Sequence, residues 1–100
     1  MSDYYILNAK GEPEACDLMT WARWFETNDR IVASDKIGDV HVSTVFLGLD
    51  HSLGDGPPVL YETMIFGGLH DDYQDRYETR AQAIAGHAKA LALVQASHDP

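Results

Sequence analysis

Three residues with acid–base or metal-binding side chains lie close together in the middle of the sequence. Asp50 and His51 end one apolar run, LGLDH, and Glu62 lies inside the next, VLYETM. Two carboxylates can act as a general acid and a general base, and a histidine with carboxylates can hold a metal ion. The alternative is a β-hairpin loop in which these residues only stabilise the turn.

The elements that must position these residues are two long β segments, 39–49 and 58–68, rich in β-branched and aromatic side chains. A loop over 50–57 separates them. It contains Gly54, Gly56 and Pro57, and Pro58 follows it directly. Leu53 lies at its tip. Such a loop predicts an ordered turn and offers a contact surface.

A symmetric hairpin tests whether Asp50 and Glu62 can meet. It pairs Leu49 with Val59 and places Phe46 opposite Glu62, so the two carboxylates lie four strand positions apart, or roughly 13 Å. That distance is too large for one small ion or for an acid–base pair on one bond. We therefore interpret Asp50 as the acceptor of an Asx-type turn.

The remaining pattern predicts one α+β domain over residues 1–100, with four to five strands in an antiparallel or mixed sheet and two helices. The predicted order is β-α-β-β-β-(β)-α: strand 4–8, a helix from Asp17 to about Thr27, strands 30–35, 39–49, 58–68 and 73–78, and a helix from Thr79. Asp17 is typical of a helix N-cap, and Thr79 with Gln82 has capping-box spacing.

Each predicted helix has an apolar stripe. The first carries Leu18, Trp21, Ala22 and Phe25, and Trp24 lies off this stripe, where it can pack under a loop or meet a partner. The last helix has a predicted inward stripe of Ile84, Ala88, Leu91 and either Val94 or Gln95. We expect these stripes to pack on the sheet.

Both faces of the two long strands are apolar in this interpretation. One predicted face carries Val45, Leu47, Leu49, Val59, Tyr61 and Ile65, and the other carries Val42, Phe46, Leu60, Met64 and Phe66. A sheet with one solvated face should alternate instead. Either the helices cover opposite faces or an oligomer buries one of them, and we favour a homodimer.

His87 follows Gly86 inside the last helix and borders its predicted buried face. A helical glycine costs about 1 kcal/mol relative to alanine, which indicates close packing against it. The favoured interpretation is a histidine at the core edge, bonded to a strand or loop carbonyl. The alternative is a metal-dependent or hydrolytic site that combines His87 with His51 or Asp50, although no metal-binding motif supports it. No cofactor is predicted.

The charge of the chain is strongly acidic, with sixteen Asp and Glu against seven Lys and Arg and a net charge of −9. This charge disfavours direct binding to nucleic acid. The single cysteine, Cys16, predicts a reducing, cytoplasmic setting, and no apolar run is long enough to cross a membrane.

The segment HDDYQDRYE (70–78) is the densest acidic stretch and does not follow a calcium-loop pattern. We interpret it as a solvated loop and edge strand whose Asp71, Asp72 and Asp75 can contact a partner. Together with Trp24 and the 50–57 loop, these residues are the candidate partner-binding set.

Four segments resemble a widespread family of small proteins encoded by bacteriophages and prophages: WARWFE (21–26), VSTVFLGLDH (42–51), PPVLYETMIFGG (57–68) and RYETRAQAIAGH (76–87). The resemblance implies a phage-linked protein in a bacterial cell and carries over no catalytic residues. We therefore expect a non-enzymatic protein that binds another protein, such as an inhibitor or regulator of a host protein. The alternatives are the small enzyme described above and a structural component of the virion.

Overall fold

The computed structural model describes residues 3–52 and 54–98, which form two antiparallel sheets and two helices. The elements are β1 (Tyr4–Leu7), β2 (Pro13–Cys16), α1 (Leu18–Thr27), β3 (Ile31–Ile37), β4 (Val40–Phe46), β5 (Tyr61–Phe66), β6 (Gln74–Tyr77) and α2 (Arg80–His98). β1 and β2 form a hairpin, and β3 to β6 form a meander in sequence order. The predicted α+β class and element order are confirmed, and β2 is an additional short strand. Neither helix of the described residues is long and apolar enough to cross a membrane.

Both helices begin at the predicted caps. The side chain of Asp17 accepts a hydrogen bond of 2.8 Å from the backbone N–H of Thr20. Thr79 and Gln82 bond reciprocally, each backbone N–H donating to the other side chain at 3.1–3.2 Å. These bonds satisfy backbone donors that have no partner inside a helix and fix where each helix starts.

The face of the main sheet that packs against α2, here called the covered face, holds most of the core. Its buried side chains are Val42, Thr44 and Phe46 from β4 and Tyr61, Thr63 and Ile65 from β5. From α2 the buried residues include Ala83, His87, Ala90 and Val94.

The predicted inward stripe of α2 is therefore wrong in its first half, because Ile84 is 47% exposed and Ala88 is exposed too. Small residues take the inner positions, since they let the helix approach the sheet closely. A Cβ on Gly86 would collide with the ring and hydroxyl group of Tyr77. The close packing predicted from Gly86 is thus confirmed, and the neighbour is the Tyr77 ring.

The predicted pairing of the two long strands is wrong by one residue. Phe46 lies opposite Tyr61, and Glu62 lies opposite Val45. The connection is longer and less symmetric than a 50–57 loop. The backbone N–H of Leu47 still donates to the Leu60 carbonyl at 2.6 Å, and the chain then turns away to meet β1. The backbone N–H of Tyr5 donates to the Gly48 carbonyl at 2.8 Å, and Gly48 has a φ of 73°.

This shift changes the composition of the second face, here called the open face, which neither helix of the described residues covers. Its cross-strand rows are Ile31–Val45–Glu62–Arg76, Ser34–Ser43–Met64–Gln74 and Lys36–His41–Phe66. The face is mixed rather than apolar, as expected for a solvated antiparallel sheet. The predicted pair of apolar faces is thus wrong, and the homodimer inferred from it stays a prediction.

Candidate functional site

A chain of polar side chains lies between α2 and the covered face. Nδ1 of His87 is 2.7 Å from Oγ1 of Thr44, and Nε2 of His87 is 2.8 Å from a carboxylate oxygen of Asp35. Oγ1 of Thr44 is in turn 2.5 Å from Oγ1 of Thr63. The chain therefore ties α2 to β3, β4 and β5 through hydrogen bonds.

Its order, carboxylate–imidazole–hydroxyl, is the order of a nucleophilic triad. A triad needs an exposed hydroxyl that can reach a substrate, but Thr44 is fully buried and His87 is only 5% exposed. The exposed end is the opposite one, since the side chain of Asp35 is 53% exposed. This geometry favours a structural role, because the Thr44 and Thr63 hydroxyls and both ring nitrogens of His87 each have a hydrogen-bond partner.

The His87 partners differ from the predicted carbonyl, since a threonine hydroxyl and a carboxylate bind the two ring nitrogens. The two ring nitrogens of His87 bond to Thr44 and Asp35, so neither Asp50 nor His51 is their partner. Within residues 3–52 and 54–98, no group of three His, Cys, Asp or Glu residues is arranged to hold a metal ion. The strand pattern of β4 contained the missed signal, because Thr44 occupies an inward position between Val42 and Phe46.

The turn role predicted for Asp50 is confirmed. Its carboxylate accepts hydrogen bonds from the backbone N–H of Ser52 at 2.8 Å and from that of Val59 at 2.9 Å. These two bonds lower the pKa of Asp50, because they stabilise the charged form. The carboxylate thus joins the two ends of the 47–60 connection.

The neighbours of Asp50 have separate partners. The backbone N–H of His51 donates to the Val59 carbonyl at 2.9 Å. Glu62 accepts from Nε of Arg76 at 2.9 Å and from Nε2 of Gln74 at 2.7 Å, on the open face. Leu53, the predicted tip of the contact loop, lies outside the described residues.

Trp24 packs inside the protein. Its ring meets Phe46 edge-on with a centroid distance of 5.7 Å and is half-buried in the core cluster around Leu60 and Tyr61. The flank of α1 that carries Trp24 therefore supports the end of the main sheet. Trp24 is half-buried, as are Asp50 and His51, whereas Asp71, Asp72 and Asp75 are exposed.

The acidic segment 70–78 begins inside a turn that spans residues 67–73. Gly67 and Gly68 have φ values of 91° and 70°, which suit glycine, and a carboxylate oxygen of Asp71 accepts from the backbone N–H of Gly67. The backbone N–H of Tyr73 donates to the carbonyl of His70 at 2.9 Å. The turn is therefore ordered by its own hydrogen bonds.

The three predicted aspartates have different surroundings. Asp71 stabilises the turn, Asp72 is exposed, and Asp75 lies opposite Thr63 on β6 and accepts from the backbone N–H of Arg76. The 67–73 turn and the 47–60 connection lie at opposite ends of β5, so the two predicted contact surfaces are separate. Leu69, within the turn, is 80% exposed.

A cavity of about 430 Å³ opens at the same end of the sheet as the turn, lined by Lys36, Gly38, Asp39, His41, Phe66 and Gly67. Nε2 of His41 is 2.7 Å from Oγ of Ser34. The His41 ring lies 6.0 Å from that of Phe66, with a tilt of 35°. Sequence reasoning missed this cavity, because its residues come from three strands and two turns.

No family model, curated protein or solved structure matches this chain. The resemblance to phage-encoded proteins therefore stays a prediction, and the site is interpreted from its own geometry.

Proposed function

We propose that this protein is a non-enzymatic binding protein whose 67–73 turn contacts another protein. The observation that carries the proposal is Leu69, a large apolar side chain that is 80% exposed on an ordered turn. Phe66, 46% exposed, precedes the turn directly. Exposed apolar side chains grouped in one short segment are typical of contact sites.

The turn is preorganised for such a contact. Gly67 and Gly68 adopt left-handed backbone conformations, and the Asp71 carboxylate holds the backbone of Gly67. A preordered loop loses little conformational entropy when it binds, so more of its contact energy appears as affinity.

The charge of this end indicates the chemistry of the partner. Asp39 and Asp72 are exposed beside the apolar residues, and the chain carries a net charge of −9. The C-terminal half of α2 also packs near Tyr73, so its helix dipole adds negative potential. We infer a partner with an apolar pocket bordered by Lys or Arg, such as a nucleic-acid-binding or defence protein of a bacterial host.

The experiment is affinity capture from a bacterial lysate with four proteins: the wild type, Leu69→Gln, Asp72→Asn and the control Met19→Gln. Met19 is also an exposed apolar residue, but it lies on α1. We expect one protein to bind the wild type and the control in stoichiometric amounts. Leu69→Gln should abolish this binding, and Asp72→Asn should weaken it and reduce its dependence on salt.

Equal capture by all four proteins would overturn the assignment to this turn. Loss of capture by Met19→Gln alone would move the contact to α1. Assembly of the purified wild type into large oligomers that Leu69→Gln does not disturb would favour the virion component instead.

A further inference from the structure

The open face carries a cavity beside the proposed protein contact. Phe66 and Asp39 border both, whereas Lys36 and His41 line the cavity and have no part in that contact. Lys36 and His41 lie directly opposite each other on β3 and β4, and His41 lies opposite Phe66 on β5. Opposed residues have Cβ atoms about 5 Å apart, so one small molecule can touch all three. The cavity of about 430 Å³ opens over this row.

Lys36 supplies a positive charge at the cavity. Within residues 3–52 and 54–98, it forms no ion pair with a carboxylate. The chain has only seven Lys and Arg residues against sixteen Asp and Glu. An unpaired ammonium group beside a cavity therefore offers the local attraction that an anion needs on an otherwise repelling surface.

His41 adds a directed donor. The hydrogen bond between Oγ of Ser34 and Nε2 fixes its ring, and Nδ1 can donate to a ligand when Ser34 is the donor of this bond. The Phe66 ring lies beside the imidazole and is 46% exposed, so its ring remains available to a second planar group.

We propose that this cavity binds a small ligand that carries a phosphate or carboxylate group attached to a planar ring. Lys36 and His41 hold the anionic group, and Phe66 packs against the ring. Asp39, which also lines the cavity, disfavours a second anionic group and can accept a hydrogen bond from a ligand hydroxyl or amine. The cavity is open to solvent, so the ligand is contacted from one side only.

The test is an NMR titration of the full chain with three probes: phenyl phosphate, benzoate and inorganic phosphate. The backbone amide signals of Gly38 and Gly67 report on the cavity, since both residues line it. We expect phenyl phosphate to bind about fivefold more tightly than inorganic phosphate, because the ring adds an aromatic contact. Benzoate distinguishes the two anionic groups: tighter binding of benzoate assigns a carboxylate ligand, and weaker binding assigns a phosphate.

Two variants and one control locate the binding. Lys36→Ala should weaken all three probes about fivefold through the lost charge, whereas Lys89→Ala, an exposed lysine on α2, should leave them unchanged. Phe66→Leu keeps an apolar side chain and should remove only the preference for phenyl phosphate over inorganic phosphate.

The proposal is overturned if none of the probes shifts the Gly38 and Gly67 signals, or if Lys36→Ala and Lys89→Ala have the same effect. Leu69→Gln distinguishes this proposal from the protein contact, because it should lose the protein partner and still bind phenyl phosphate as the wild type does.

Discussion

The two faces of the main sheet each hold a histidine bonded to a hydroxyl at 2.7 Å, and the surroundings give these pairs different roles. His87 and Thr44 are buried between α2 and the covered face, with Asp35 on the other ring nitrogen. His41 and Ser34 lie on the open face, at the edge of a cavity. The hydrogen bond is similar in length, but only the second pair can meet a ligand.

The difference teaches that burial, rather than residue type or pair distance, separates a structural polar pair from one available for binding. A buried hydroxyl that loses its partner keeps its desolvation cost, whereas an exposed one bonds to water instead. The covered face should therefore respond to substitution through stability, and the open face through binding.

Replacement of the two histidines gives the largest expected contrast. His87→Ala should lower the free energy of unfolding by about 3 kcal/mol, because it empties buried volume and leaves the Thr44 hydroxyl without its imidazole partner. His41→Ala should change it by less than about 0.5 kcal/mol. Urea unfolding followed by circular dichroism measures both. Equal losses would show that the open face is as much a part of the core as the covered face.

The close approach of α2 to the covered face can be tested at Gly86. An added Cβ would collide with the Tyr77 ring, so Gly86→Ala should destabilise the fold by about 1–2 kcal/mol although alanine favours helix. Ala85→Gly is the reverse change at the preceding position, which is exposed, and it should cost about 1 kcal/mol through helix propensity alone. Thermal unfolding of both variants gives the comparison. Stabilisation by Gly86→Ala would mean that the helix lies farther from the sheet.

The Asp50 turn belongs to neither face and lies between the two in burial. Asp50 is half-buried, and its carboxylate has a structural role. Asp50→Asn should cost about 1 kcal/mol at pH 7, through weaker bonds to the Ser52 and Val59 amides. Since the folded-state pKa of Asp50 is lowered, its contribution is complete above the unfolded pKa of about 3.9 and is lost as pH falls through the lower folded value.

Urea unfolding of the wild type and Asp50→Asn between pH 7 and pH 2 should therefore show two curves that converge in acid. Asp55→Asn, exposed in the same connection, serves as the control and should follow the wild type. A gap that stays constant with pH would assign the effect of Asp50→Asn to packing.

A small effect is expected at Glu62, which is 8% exposed although it lies on the open face. Its ion pair with Arg76 is half-exposed on the arginine side, so Glu62→Gln should cost only about 0.5 kcal/mol, and less at high salt. Unfolding at low and high salt measures this. A loss as large as that for His87→Ala would indicate that a second molecule covers the open face in solution.

The caps of both helices could be predicted from the sequence, because a cap depends on residues three positions apart. The inward face of α2 could not. Apolar size suggested Ile84, whereas the sheet selects small residues at Ala83, Gly86 and Ala90 so that His87 can reach Thr44. The fit between two elements depends on their distance, which no local pattern contains.

The strand register was lost for a related reason. A symmetric hairpin assumes that the residues of a loop interact only with each other, but Gly48 and Asp50 bond to the backbone of the N-terminal segment, far away in sequence. The candidate ligand site could not be predicted for the same reason, because a shift of one residue in the pairing exchanges the two faces of a strand. Lys36, His41 and Phe66 form a row only in the observed register.

The meander itself has a kinetic consequence. Each strand from β3 to β6 pairs with its neighbour in sequence, and α2 packs back on all four. Pairing of strands adjacent in sequence favours early formation of the sheet, with the long 47–60 connection as the slowest closure within it, whereas the bonds of α2 to β3 and β4 join residues 43 and 52 positions apart. The β1–β2 hairpin instead contacts the 47–60 connection, through the bridge between Tyr4 and Leu49. We therefore expect it to dock last during refolding and its amides to exchange with solvent first.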